Sequence, residues 1–130
     1  MLQITSKAEG AELTSIKLKE KLHDGKEYWN RQAPILFPIV GKLKDNKTII
    51  EDHNYEMGQH GFARDMTFEC IKDKENLKEY KLKANEETLK KYPYQFELIV
   101  KYQVKDDTLI VSYEVDNTDN KNIFFGIGGH

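Results

Sequence analysis

Two glycine-rich stretches of the 130-residue chain carry the residue types that enzymes most often use to move protons. In GQHGFARD (58–65), His60, Arg64 and Asp65 fall within one short polar segment before a predicted strand. The other stretch, GIGGH, ends in His130. Histidine suits acid–base work because its ordinary pKa lies near neutral pH. Loops often present such groups from a rigid scaffold, so both stretches are candidate sites.

Each histidine also has an interpretation without chemistry. His130 is the last residue of the sequence, so a frayed terminus and the start of an affinity tag are both alternatives. Arg64 and Asp65 are equally typical of a surface ion pair beside a solvated His60. Residue types alone leave these alternatives open.

A third polar pair, Asn30 and Arg31, comes directly before the apolar run QAPILFPIVGKL (32–43). The two prolines of this run and Gly41 indicate a rigid, partly buried crossing segment rather than a central strand. Asn30 and Arg31 are therefore candidates to point into a cleft at the start of that segment.

Metal binding and thiol chemistry are not expected. Glu51, Asp52, Glu56 and two histidines lie within ten residues, but the histidines lack the i, i+4 spacing of a zincin. The single cysteine, Cys70, excludes an internal disulfide and is typical of a reducing cytoplasm. Cys70 lies in an alternating stretch and is predicted to be a small buried group.

Composition excludes several classes of partner. Twenty Lys and Arg residues against 22 Asp and Glu residues leave a net charge of −2, with no basic surplus for nucleic acid. No apolar run approaches the ~20 residues that a bilayer span requires. The first ten residues carry no signal-peptide core. We therefore expect a cytoplasmic protein without a nucleic-acid or membrane partner.

The elements that must position these loops are strands. Apolar and polar residues alternate with a period of two over 96–104 and 109–115, on both sides of the polar link KDDT. This pattern predicts an antiparallel hairpin. The apolar residues predicted to be mostly buried in it are Phe96, Leu98, Val100, Leu109, Val111 and Tyr113.

The rest of the chain favours more strands and little helix. The remaining apolar runs are short and closely spaced, and one helical turn is expected after Asn85 as N-cap. No stretch has a sustained 3.6-residue period, so the predicted fold class is all-β, an antiparallel sandwich or barrel. The length is that of one domain.

Several stretches, taken in order, resemble the aldose 1-epimerase (galactose mutarotase) family, and within it the bacterial branch with poorly assigned substrates. They are GAELTSI at 10–16, NRQAPILFPIVGKLK at 30–44, QHGFARD at 59–65, YPYQFEL at 92–98 and the final GIGGH. The resemblance implies an antiparallel β-sandwich of the galactose mutarotase-like supersandwich type. Residues 1–130 are expected to be the N-terminal part, about the first half, of one such domain.

The same resemblance implies an isomerase that interconverts the α and β anomers of a free aldose without metal or organic cofactor. His130 matches the general acid that protonates the ring oxygen, and His60 matches the histidine that hydrogen-bonds and orients the sugar. Arg64 belongs to the same motif as His60 and corresponds to a sugar-binding position. Asn30 and Arg31 are further sugar-binding candidates.

Two features depart from the family pattern. Lys42 stands where the family commonly has arginine, and lysine cannot reproduce a bidentate guanidinium fork. The family's general base is a glutamate near the end of a chain about twice as long, so this piece alone is expected to be inactive. Its expected partners are a small aldose and either its own missing C-terminal half or a second copy. A non-catalytic carbohydrate-binding module and a plain β-sandwich interaction domain are the alternatives.

Overall fold

The computed structural model describes residues 2–19, 21–25 and 31–130. These ranges contain eleven strands, one α-helix and two single-turn 3-10 helices, Lys44–Asn46 and Ala63–Asp65. In chain order the other elements are β1 Leu2–Ser6, β2 Leu13–Leu18, β3 Lys21–His23, β4 Ile35–Leu36, β5 Lys47–Ile50, β6 His53–Glu56, β7 Glu69–Lys74, β8 Leu77–Lys83, α1 Glu86–Lys91, β9 Phe96–Lys105, β10 Thr108–Asn117 and β11 Gly128–Gly129. All strand pairs are antiparallel, which confirms the predicted class.

A four-stranded sheet in the order β10-β9-β8-β7 is the main layer of the fold. The predicted hairpin forms its β9–β10 half, with Val100 opposite Tyr113 and Tyr102 opposite Val111. Along β9 every second residue is buried and the residues between them are only partly so. The alternation therefore places one face of β9 on the core, and the prediction of a hairpin is confirmed.

Two predictions of burial were wrong, both on the outer strands of this sheet. Val111 of β10 is 41% exposed, and Leu109 and Tyr113 are only half-buried. Cys70 is exposed on β7, the strand at the opposite edge. An edge strand has fewer neighbours to cover its side chains than a central strand with the same sequence pattern.

One apolar core joins the sheet to the rest of the chain. Leu2 and Ile4 of β1 share this core with the inward face of β9. At its centre Phe37 is fully buried, and its ring lies 5.1–6.3 Å from four other aromatic rings, those of Phe62, Tyr92, Phe96 and Phe125. Such edge and tilted contacts stabilise an aromatic cluster beyond simple burial. The run predicted to be a crossing segment is therefore fixed against the sheet through Phe37.

Helix α1 begins as the sequence predicts. The Asn85 side chain accepts a hydrogen bond of 2.9 Å from the backbone N–H of Thr88. The Thr88 hydroxyl accepts one of 2.9 Å from the N–H of Asn85, which completes a capping box. The helix ends at Lys91, before Pro93.

Candidate active site

Residues 34–41, here called the crossing segment, hold the His130 loop along one stretch of backbone. Gly128 and Gly129 of β11 pair with Leu36 and Ile35 of β4. The backbone N–H of His130 then donates a hydrogen bond of 3.2 Å to the carbonyl oxygen of Pro34. The backbone of His130 is thus a continuation of a small antiparallel ladder.

The His60 loop is bound to the same segment. The backbone N–H of His60 donates to the carbonyl oxygen of Gly41 at 2.7 Å, and its own carbonyl accepts from the N–H of Phe37 at 3.2 Å. Gly61 has φ +75°, and a Cβ there would collide with the carbonyl group of Phe37. Close backbone approach therefore requires glycine directly after His60.

As a result, the two imidazole rings come together although they lie far apart in sequence. Their centroids are 6.3 Å apart, with an angle of 67° between the ring planes. His60 is half-buried and His130 is exposed. This spacing is short enough for both rings to reach one sugar ring at hydrogen-bond distance.

The two rings differ in their hydrogen bonding. The backbone N–H of Gly41 donates to Nδ1 of His60 at 2.9 Å. A backbone amide can only donate, so Nδ1 must be the unprotonated acceptor, and the neutral ring carries its hydrogen on Nε2. His60 is therefore fixed as a hydrogen-bond donor through Nε2.

Arg64 lies on the 3-10 helix that follows the His60 loop. Its guanidinium donates to the carbonyl oxygen of Gln59 at 3.0 Å, and its buried Nε has no hydrogen-bond partner among the described residues. It lines a polar cavity of about 220 Å³ with Gln59, Glu87 and Lys91, and neither His60 nor His130 lines that cavity. Arg64 therefore follows the His60 loop directly and lines this cavity, and its role in sugar binding stays a prediction.

Arg31, which precedes the crossing segment, contacts the His60 loop at another point. Its guanidinium forms an ion pair of 2.7 Å with Asp65, which belongs to the loop of His60 and Arg64. Both side chains are partly exposed.

Asn30, the other predicted sugar-binding residue of this motif, lies outside the described residues. Lys42 is exposed beside Gly41.

Sequence reasoning missed Glu12 as part of this arrangement. Glu12 is 4% exposed, and its carboxylate accepts hydrogen bonds from the backbone N–H groups of Gln32 and Ala33, next to Arg31. The signal available was a charged residue in the GAEL stretch of the family resemblance. Alone, a glutamate at the start of a strand is typical of a solvated side chain.

A second cavity, apolar and about 630 Å³, is lined by neither histidine. Its lining includes Ile39, Met57, Tyr94 and Phe124, together with Glu51 and Lys121, which form an ion pair of 2.8 Å.

In the described part of the chain, no helix is long and apolar enough to cross a bilayer. No group of three or more metal-ligating side chains occurs there either.

Comparison with known proteins identifies the family. The aldose 1-epimerase family model matches residues 2–130, so the chain belongs to the aldose 1-epimerase family. The chromosomal and plasmid LacX proteins of Lactococcus lactis subsp. lactis are each 37% identical to it over 139 residues, covering 99% of this chain and 46% of theirs. The chain thus spans about half the length of the curated relatives it matches.

Solved structures agree on the fold. A galactose mutarotase related enzyme from Lactobacillus acidophilus matches 100% of this chain and 45% of its own at 37% identity, with a TM-score of 0.95. A galactose mutarotase-like protein from Lactobacillus casei matches 98% of this chain and 45% of its own at 37% identity, with a TM-score of 0.91. The all-β antiparallel fold is therefore the galactose mutarotase-like fold, over about half the length of those chains.

Proposed function

We propose that this chain supplies the histidine pair of an aldose 1-epimerase, an isomerase that interconverts the α and β anomers of a free sugar in the cytoplasm. One observation carries the proposal: two loops held on the crossing segment bring the His60 and His130 rings to 6.3 Å. Family membership supports the class of reaction. The proximity of the two rings supports the assignment of His60 and His130 as the residues that carry it out.

The reaction explains why two different histidines are useful. Opening a cyclic hemiacetal requires a proton delivered to the ring oxygen and another removed from the anomeric hydroxyl. Rotation about the C1–C2 bond then exposes the other face of the aldehyde before the ring closes. In our proposal the exposed imidazole of His130 is the general acid for the ring oxygen.

His60 has the complementary role of orienting the sugar. Its Nδ1 is occupied by the Gly41 amide, so a second proton on the ring would break that hydrogen bond. The Nε2–H group remains as a fixed donor to a sugar oxygen. We assign sugar binding to Arg64, Asn30 and Arg31 by the family motif.

We further propose that residues 1–130 form the N-terminal part of a single β-sandwich domain and that the general base is a glutamate outside them. Loss of one acid–base partner typically costs ~10²–10⁴-fold in rate. Since free aldoses also change anomer spontaneously, we expect no measurable acceleration by the 130-residue chain alone.

Polarimetry of freshly dissolved α-glucose and α-galactose tests this function. The chain alone is compared with a joined protein, in which it continues into the part of the Lactobacillus acidophilus relative that it does not cover. We expect acceleration only by the joined protein, and its loss on His130→Asn. Equal acceleration by the chain and by the joined protein would show that the base lies within residues 1–130. Sugar binding without acceleration by the joined protein would favour a carbohydrate-binding module instead.

A further inference from the structure

One buried carboxylate, that of Glu12, contacts the backbone directly before the crossing segment. Glu12, which lies between the turn at Gly10 and Ala11 and the first residue of β2, has a side chain that is only 5% exposed. Its Oε1 accepts hydrogen bonds from the backbone N–H of Gln32 at 2.7 Å and of Ala33 at 3.0 Å. Its Oε2 forms an ion pair of 3.0 Å with Lys7, which compensates the buried charge.

These contacts fix the segment that leads into the crossing segment. Ala33 is followed by Pro34, whose carbonyl oxygen receives the backbone N–H of His130 at 3.2 Å. On the other side, Gln32 follows Arg31, whose guanidinium pairs with Asp65 at 2.7 Å. The carboxylate of Glu12 is thus separated from the His130 backbone by Ala33 and Pro34 only.

Glu12 is itself held in place by other parts of the fold. The Tyr102 hydroxyl on the central strand β9 donates a buried hydrogen bond of 2.7 Å to the carbonyl oxygen of Ala11. The backbone N–H of Gly10 donates to the carbonyl oxygen of Met66 at 2.6 Å. The carboxylate therefore projects from a turn anchored both to the main sheet and to the segment after Arg64.

We infer that Glu12 is a positioning residue for the histidine pair. Its carboxylate fixes the backbone of residues 31–34, and through Pro34 it sets where His130 stands against His60. The importance of this placement for catalysis rests on the proposed function, whereas the placement itself does not. A carboxylate suits the task because one oxygen accepts two adjacent amides while the other pairs with Lys7.

NMR on the 130-residue chain tests the placement directly with three substitutions. Glu12→Ala removes both acceptors, Glu12→Asp keeps the charge but retracts it by one methylene, and Glu12→Gln retains a carbonyl oxygen at full length. The matched control is Glu79→Ala, which removes another carboxylate paired to a lysine, at 3.7 Å from Lys72 on the far strands of the sheet.

The readout is the backbone amide and imidazole Cε1–H resonances of His130, with the backbone amide of His60 as an internal reference. We expect Glu12→Ala and Glu12→Asp to shift the resonances of His130 and Ala33 while the backbone amide of His60 keeps its position, because that amide is bound to the Gly41 carbonyl instead. Glu12→Gln should restore most of the wild-type pattern, and Glu79→Ala should leave it unchanged. A merely structural role would lower Tm without this selective shift.

Unshifted His130 resonances in a folded Glu12→Asp or Glu12→Ala chain would overturn the inference. An equal shift in Glu79→Ala would also overturn it. In the joined protein, Glu12→Asp should lower kcat by up to ~10²-fold, the loss that a misplacement of about 1 Å can cause, and Glu12→Gln should recover most of it. Absence of activity in the wild-type joined protein would count against the proposed function only, since the NMR result on the chain stands separately.

Discussion

The backbone N–H of Gly41 donates a hydrogen bond of 2.9 Å to Nδ1 of His60, and the backbone N–H of His60 returns one of 2.7 Å to the Gly41 carbonyl. This reciprocal pair fixes the ring as well as the backbone of His60. The exposed ring of His130 is held through its backbone to Pro34. The two histidines are therefore chemically different although their rings lie 6.3 Å apart.

We predict that His60 keeps its hydrogen on Nε2 in the folded chain. Long-range ¹H–¹⁵N spectra near pH 7.5 should show an unprotonated Nδ1 and a protonated Nε2. In the joined protein His60→Gln should retain part of the activity because its amide still donates, whereas His130→Asn should lower kcat by ~10²–10⁴-fold. A protonated Nδ1 at His60, or equal losses in the two variants, would contradict this division of roles.

We predict that Gly61→Ala disrupts the His60 loop. The residue has φ +75°, and the added Cβ would collide with the Phe37 carbonyl group. The cost should be about 2–3 kcal/mol or more in free energy of unfolding, as for other strained backbone positions. The control is Gly58→Ala, because a Cβ at Gly58 meets nothing within 4 Å. Urea denaturation should separate the two variants, and similar midpoints would contradict the argument.

We predict that Gly129→Ala displaces His130 through Tyr113. A Cβ at Gly129 would lie 2.6 Å from the hydroxyl oxygen of Tyr113. Burial raises the pKa of Tyr113, which is consistent with a hydroxyl covered by β11. Because the hydroxyl is the far end of a half-buried side chain and residue 129 is exposed, the cost should be about 1 kcal/mol, the low end of the range for overpacking.

The double variant Tyr113→Phe with Gly129→Ala is the test of that contact. Removing the hydroxyl should relieve most of the collision, so the double variant should be more stable than Gly129→Ala alone in the same denaturation series. If the free-energy changes of the two substitutions simply add, the collision between the hydroxyl and residue 129 does not cause the loss of stability in Gly129→Ala.

We predict that Glu12 contributes to stability at neutral pH and that this contribution is lost in acid. Burial raises the pKa of Glu12, but hydrogen bonds from Lys7, Gln32 and Ala33 outweigh it, so the pKa lies below the ordinary 4.5. A lowered pKa means that the contribution is fully present above pH 4.5 and declines as pH falls through the lower folded value. The free energy of unfolding of Glu12→Gln should therefore fall less steeply than wild type below about pH 4.5. Plots of the free energy of unfolding against pH that run parallel for wild type and Glu12→Gln from pH 7 to 3 would contradict this.

The sequence predicted which residues form strands better than it predicted which of their side chains are buried. Alternation identified β9 and β10 because a period of two is a local property of the chain. The exposure of Val111 and Cys70 depends instead on which strands lie at the sheet edges, and that is set by pairing between distant segments.

The histidine pair and Glu12 show the same limit at the candidate site. Residue type made His60 and His130 separate candidates, and only the family resemblance joined them in one site, because their proximity depends on backbone contacts to residues 34–41 that no local pattern encodes. Glu12 has no local signal that distinguishes a buried acceptor of two amides from an ordinary solvated glutamate. Only the fold shows which donors face it.

We predict that the 130-residue chain self-associates through β10. This strand is ten residues long, pairs only with β9 among the described strands, and exposes Ile110 and Val111 by 39% and 41%. An edge of this kind is a template for another strand. The opposite edge, β7, is shorter, charged and interrupted by an irregularity between Cys70 and Lys72, all of which discourage pairing.

Light scattering during size-exclusion chromatography should therefore show a mass that rises with concentration for the wild-type chain. Val111→Lys should shift the population toward monomer, because a charge on an edge strand opposes pairing. The matched control, Ile71→Lys on β7, replaces a side chain that is 40% exposed and should leave the distribution unchanged. A monomeric wild-type chain at all concentrations, or an equal effect of the two lysines, would show that β10 is not the associating edge.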